Sequence, residues 1–349
     1  MQLELVKTLN LLGVSSPIES TDALARERDD ARRSRSSPAG RRGFRSRLHR
    51  RIRTHSQRNV EYVNKAIQLV DHLIDEYSDA PEALPELILE RAKSRLRLAE
   101  LQFVIGMKPE SLNSKALAVE DLESSAALPE LPAYRAVLAQ AYAMPIGQDI
   151  ESALQDLTKA KQLTTQLCNT SPGSTDYLQL DAEVNYQLGQ LYNETDRSEE
   201  SILHFQSALT SLHQTSQLMP RNTTIMFMIN EATASLAELL IEGKKFRKAR
   251  DLLVQNLDEM TKAASNRSRR SAIGRGGTTR SRIARQFVML ATCYESLGEP
   301  IKAQQANQAA KDLQQKMRDE QRERAENSRG KGRPDRGDRG DRGKRRKRQ

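Results

Sequence analysis

Residues 287–310 read FVMLATCYESLGEPIKAQQANQAA. The stretch contains a pentad, Leu290-Ala291-x-x-Tyr294, followed by small residues at Ala303 and Ala310, 12 and 19 positions after Ala291. At 3.6 residues per turn this spacing describes a helix, a tight turn and a second helix whose small side chains let the pair pack closely. The pentad recurs as Leu138-Ala139-x-x-Tyr142, Leu188-Gly189-x-x-Tyr192 and Leu236-Ala237-x-x-Leu240. Its small residues lie 50, 48 and 54 positions apart, and self-similarity at a fixed period marks stacked supersecondary units. The expected fold class is therefore all-α, an α-solenoid of helical hairpins.

Working outward, three-to-four spacing of apolar residues predicts helices near 60–77, 82–105, 112–127, 132–143, 149–169, 176–193, 197–219, 222–242, 245–264, 278–297 and 300–327. Punctuation falls between them, at Ser171-Pro172-Gly173, Pro220-Arg221-Asn222, Gly243 and Gly298-Glu299-Pro300. Stretches of alternating apolar and polar residues bounded by turn signals do not occur. Three domains are expected: 1–59, a short helix (1–13) plus a disordered Arg-rich arm; 60–327, the solenoid, with a disordered basic loop at 265–279; and 328–349, a disordered Arg/Gly-rich tail.

Composition agrees with a one-dimensional stack. Of 349 residues 37% are hydrophobic and 4% aromatic, with no Trp, and a stack of helix pairs buries only seams. The net charge of +10 is unevenly placed: residues 26–58, 267–285 and 318–349 together carry +24, which leaves −14 on the repeat body. The chain reads as an acidic scaffold bearing basic arms. Cys168 and Cys293 are too few and too isolated for a disulfide framework or metal cluster. The N-terminus lacks the basic-then-apolar order of a signal peptide, and no run reaches the ~18 apolar residues of a membrane span. The expectation is a cytoplasmic protein.

With the landmarks in place, the units resemble the tetratricopeptide repeat, whose pattern is an aromatic, Leu-Gly-x-x-Tyr, a glycine turn, Ala, an aromatic and Ala. Phe287, Leu290, Ala291, Tyr294, Gly298, Ala303 and Ala310 match it, with Asn307 in place of one aromatic. Leu188, Gly189, Tyr192, Phe205 and Ala208 match, as do Leu236, Ala237, Leu240, Phe246, Ala249 and Leu253. The Ala139 unit has two extra residues before Ala153 and Ala160, and a fifth pentad, Leu98-Ala99, has Gln102 at the Tyr position. The departure is the period, near 50 rather than 34. Such elongated repeats resemble arrays that follow kinase or sensor modules in large bacterial proteins, although no kinase motif is found here.

Candidate chemistry is sparse. His49 and His55 sit in the Arg-rich arm, and His72, His204 and His213 sit in predicted helices, where a solvated or helix-surface role is expected rather than a metal site, which needs convergent ligands. Gly274-Arg275-Gly276-Gly277 lacks the preceding strand and the Gly-Lys-Ser/Thr ending of a phosphate loop. Arg336-Gly337-Asp338 and the Asn222-Thr223-Thr224 sequon read as coincidences without a secretion signal. No catalytic constellation, metal site or cofactor site emerges, and the chain is expected not to be an enzyme.

Two functions remain. The first is a protein-interaction scaffold, because first helices line the concave face of a repeat superhelix. Positions one and four after the small pentad residue, and three and six before it, should face that groove: Glu183, Tyr186, Gln190, Asn193, Glu231, Glu238, Thr292 and Glu295, with Arg285 the exception. An acidic groove would take a basic or amphipathic protein or peptide. The alternative is RNA or another polyanion held by the arms, through Arg41, Arg42, Arg50, Arg51, Arg269, Arg270, Lys344, Arg345, Arg346, Lys347 and Arg348.

Overall fold

The computed structural model describes residues 38–79, 82–124, 131–146, 149–220, 222–265 and 276–330. Those residues form eleven helices and no strand. They are α1 (Pro38–Glu76), α2 (Leu84–Val104), α3 (Lys108–Glu123), α4 (Pro132–Ala143), α5 (Ile150–Thr170), α6 (Thr175–Glu194), α7 (Ser198–Leu218), α8 (Thr223–Glu242), α9 (Phe246–Ser265), α10 (Gly276–Ser296) and α11 (Pro300–Gly330). Each even-numbered first helix packs on the second helix after it and on the one before it, which is the connectivity of a solenoid.

The pentad register is built into every turn but one. Seven residues after the small residue the chain takes a positive φ, at Gly106 (87°), Asp196 (57°), Lys244 (56°) and Gly298 (75°). The next N–H then reaches back six residues inclusive: Met107 to the Gln102 carbonyl (2.8 Å), Arg197 to Tyr192 (2.8 Å), Lys245 to Leu240 (2.7 Å) and Glu299 to Tyr294 (2.8 Å). These are the bonds of a Schellman cap. In the third turn Gly243 keeps φ −75°, so Lys244 and not the glycine carries the left-handed conformation.

The helix pairs close on the small residues. Ser201 Oγ donates to the Gly189 carbonyl at 2.6 Å, and Ser111 Oγ donates to the Ala99 carbonyl at the same distance. The Leu98-Ala99 unit is thus as complete as the others, and Gln102 replaces the pentad Tyr by accepting from Ser114 Oγ at 2.8 Å. A Cβ at Gly189 would stand 2.9 Å from the Phe205 ring. The Ala139 unit departs because α4 ends at Ala143 and Met144 is extended, which absorbs its two extra residues.

Three expectations are corrected. Residues 38–59, expected within a disordered arm, are helical and continuous with the packed part of α1. Pro38 suits a first helical position, Arg is a good helix former, and extending an anchored helix avoids the cost of nucleation. Residues 276–279, expected in the basic loop, begin α10, and residues 328–330 complete α11. Among the described residues one helix, Thr223–Glu242, is long and apolar enough to cross a membrane by composition; here it is a core helix, with Ile225, Ile229, Ala232, Leu236 and Ala237 at most 3% exposed. The short helix expected at 1–13, the rest of the N-terminal arm to 37, the loop at 266–275 and the tail at 331–349 lie outside the described residues.

Candidate functional site

Three of the four neighbouring pairs of first helices touch directly, α2 with α4, α4 with α6 and α8 with α10, whereas no pair of second helices makes comparable contact. The array therefore curves toward α2, α4, α6, α8 and α10, and their outward side chains form an inner face.

Near the N-terminal end of that face a cleft of ≈ 640 Å³ spans α2, α4 and α6 and includes Ser56 of α1. Its apolar lining includes Phe103 and Val104, in the last turn of α2, which are 40% and 61% exposed. Three charged side chains line it: Arg97, Glu100 and Glu183. Arg97 is held by Glu100 at 2.6 Å. Glu183 has no basic partner among the described residues; only the Gln179 amide donates to it, at 2.9 Å. Burial pushes the Glu183 carboxyl above its ordinary value, against the opposing effect of that one hydrogen bond.

Toward the C-terminus the inner face is internally neutralised. Arg282 of α10 pairs with Glu231 of α8, and Arg285 pairs with Glu238. Arg282 also lies 4.1 Å over the Phe227 ring. Arg280 pairs with Glu320 of α11. Within the expected acidic groove, Glu231 and Glu238 are thus each paired with an arginine of the 267–285 segment, Arg282 and the already excepted Arg285. Those partners are 51 and 47 residues away in sequence, a separation that no local pattern reveals.

The other expected groove residues fall in two groups. Tyr186 is half-buried, edge-on to Phe205 with ring centroids 5.5 Å apart, and receives a hydrogen bond from Gln190 Nε2 at 3.3 Å. Gln190, Asn193, Thr292 and Glu295 are exposed, and Asn307 donates to Glu295 at 3.5 Å. Of the polyanion set, Arg41, Arg42, Arg50 and Arg51 lie on α1, while Arg269, Arg270 and Lys344–Arg348 are outside the described residues. Glu100, Phe103 and Gln140 were missed. The offsets that identified Glu183 reach them when counted from Ala99 and Ala139, which makes the signal legible in retrospect.

Charges buried at the helix joints serve packing. Asp181, 6% exposed, accepts from Lys161 and Thr164 (both 2.8 Å), Ser211 (2.8 Å) and Asn185 (3.0 Å), tying α5, α6 and α7 together. Asp121 sits between Arg91 at 2.7 Å and Arg95 at 2.6 Å. Cys168 and Cys293 are free thiols, and burial pushes the former up to about 11. Among the described residues no three His, Cys, Asp or Glu side chains converge as a metal site would need.

Four units share one turn geometry and one pentad register. The array is tetratricopeptide-like. No protein-family model matches the chain, and no curated protein does. Solved structures similar to it include BtubC from P. vanneervenii, 14% identical over 75% of this chain and 92% of that one, with a TM-score of 0.48. The apo quorum sensor NprR from B. thuringiensis is 13% identical over 90% of this chain and 87% of its own, with a TM-score of 0.39. A putative kinesin light chain with nearly identical TPR-like repeats, from Podosopora anserina, is 16% identical over 77% and 93%, with a TM-score of 0.29.

Proposed function

We propose that this chain is a non-catalytic protein-interaction scaffold that receives a basic or amphipathic protein segment on the inner face of its first helices. One observation carries the reading: exposed Phe103 and Val104 stand in the same cleft as Glu183, a carboxylate without a cation among the described residues. Exposed apolar side chains gathered in a concavity mark an interaction surface more strongly than the same residues scattered singly. Glu183, Tyr186, Gln190, Asn193, Thr292 and Glu295 are retained as candidate contacts. Glu231 and Glu238 are not, because each already has an arginine. Two free thiols fit action in a reducing compartment such as the cytoplasm.

Site-specific photocrosslinking tests the reading. A photoreactive residue at Gln190 or Thr292 on the inner face should trap a partner protein in cells, and the same group at Leu203 or Ile301 on second helices should not. Equal trapping from both faces would sink the inner-face scaffold. Crosslinks to RNA alone, removed by raising the salt concentration, would replace it with the polyanion reading.

A further inference from the structure

We infer that the α2/α4/α6 cleft seats a short segment of a second protein carrying one Lys or Arg between bulky apolar residues, with the cation closing on Glu183 and its neighbours on Phe103 and Val104. This deepens the scaffold reading and rests on it.

Charge selects the occupant. Arg97 is taken by Glu100 at 2.6 Å, so among the described residues the cleft has no spare cation for a phosphate, a C-terminal carboxylate or an acidic peptide. Glu183 is the reverse case, a carboxylate drawn largely out of water with one amide donor and no counter-ion among the described residues. An uncompensated charge in such a place is costly, and a ligand that brings the missing cation gains a charge-assisted hydrogen bond. A bare cation would leave the apolar wall uncovered: Phe103 and Val104, 40% and 61% exposed, gain only from apolar contact. The ≈ 640 Å³ of the cleft lies within the ~300–1,000 Å³ of sites that enclose small ligands, room for a few side chains rather than a folded domain. A cation flanked by apolar residues meets all three conditions.

The test uses the full chain and random short peptides displayed on phage. Selected peptides should share one Lys or Arg with bulky apolar neighbours. Glu183→Gln should weaken the tightest of them about tenfold or more, as measured by fluorescence anisotropy. Phe103→Ser should do the same, and Leu203→Ser, at a 62% exposed site on α7 outside the cleft, should not. All three substitutions are expected to leave helicity unchanged, because Gln preserves the Glu183 shape and the other two sites are exposed. Failure to enrich any peptide, an acidic consensus, or affinity indifferent to Glu183→Gln would overturn the inference. So would a concentration-dependent doubling of mass that Phe103→Ser abolishes, since the cleft would then belong to a second copy. Inner-face crosslinks that persist in the Glu183→Gln chain would leave the scaffold standing and remove only this cleft from it.

Discussion

Between α6 and α11 the buried apolar residues form one continuous core, running from Ala182 through Phe205, Leu236 and Leu253 to Ala306. From α1 to α6 they divide into four smaller clusters, and charges fill the joints, with Asp121 between two arginines and Lys115 bonded to Asp156 at 3.0 Å. The joint between α8, α9 and α10 is instead neutral: Asn256 Nδ2 donates to Asn230 Oδ1 at 2.8 Å and to Gln286 Oε1 at 2.9 Å. The inner face divides differently: over α2, α4 and α6 an apolar cleft holds the Arg97–Glu100 pair and a Glu183 carboxylate that no described cation meets, whereas α8 and α10 pair their charges across the helices. A continuous core transmits loss of packing along its length, whereas segmented clusters confine it. The half with the continuous core should be the more cooperative, and the half with the segmented one carries the open cleft.

The largest expected effect breaks the continuous core. Phe205→Ala removes a ring that is 1% exposed and should cost about 3–5 kcal/mol. Hydrogen exchange should then accelerate from α6 through α10 together; acceleration confined to α6 and α7 would show that the continuous cluster is not a cooperative unit. Next, Asp121→Asn leaves Arg95 without its carboxylate and Arg91 with Asp71 alone, at 3.2 Å, at about 2–4 kcal/mol. Its exchange effect should stay within α1 to α4, and spread into α8 would erase the contrast between the halves.

Smaller effects sharpen the comparison. Lys244→Gly relieves a left-handed residue and should stabilise the C-terminal half by roughly 1 kcal/mol in chemical denaturation. Asp196→Gly should gain less, because Asp tolerates that conformation. Glu231→Gln with Glu238→Gln should cost under about 1 kcal/mol per pair and leave capture of a cleft peptide unchanged. The Glu183 carboxyl, raised above its ordinary 4.5 by burial, contributes stability while protonated, and that contribution is lost as pH rises through the raised value. Glu183→Gln should therefore raise the Tm of the free chain slightly at neutral pH. Capture of a cationic peptide by the wild type should fall as pH drops through the same raised value, while a flat profile would dissociate Glu183 from binding.

The repeat itself was legible because its requirements are local. The small residue at 99, 189, 237 or 291 must admit a second helix, and that is read along the chain; the left-handed residue seven positions on is a glycine at 106 and 298 but Asp196 and Lys244 elsewhere, which a glycine signal does not mark. The pentad located Glu183 for the same reason, by counting turns on one helix. Charge was misread where it depended on distant partners: Arg282 and Glu231 are far apart in sequence and meet only because α8 and α10 stack. The start of α1 at Pro38 was equally hidden, since an Arg-rich segment has no apolar seam of its own and takes helical form from the packed turns that follow it. Sequence alone thus determined the unit, its register and the face each first helix presents. Tertiary structure decided which charges on that face cancel and which carboxylate meets no cation among the described residues, because electrostatic pairing follows distance in space.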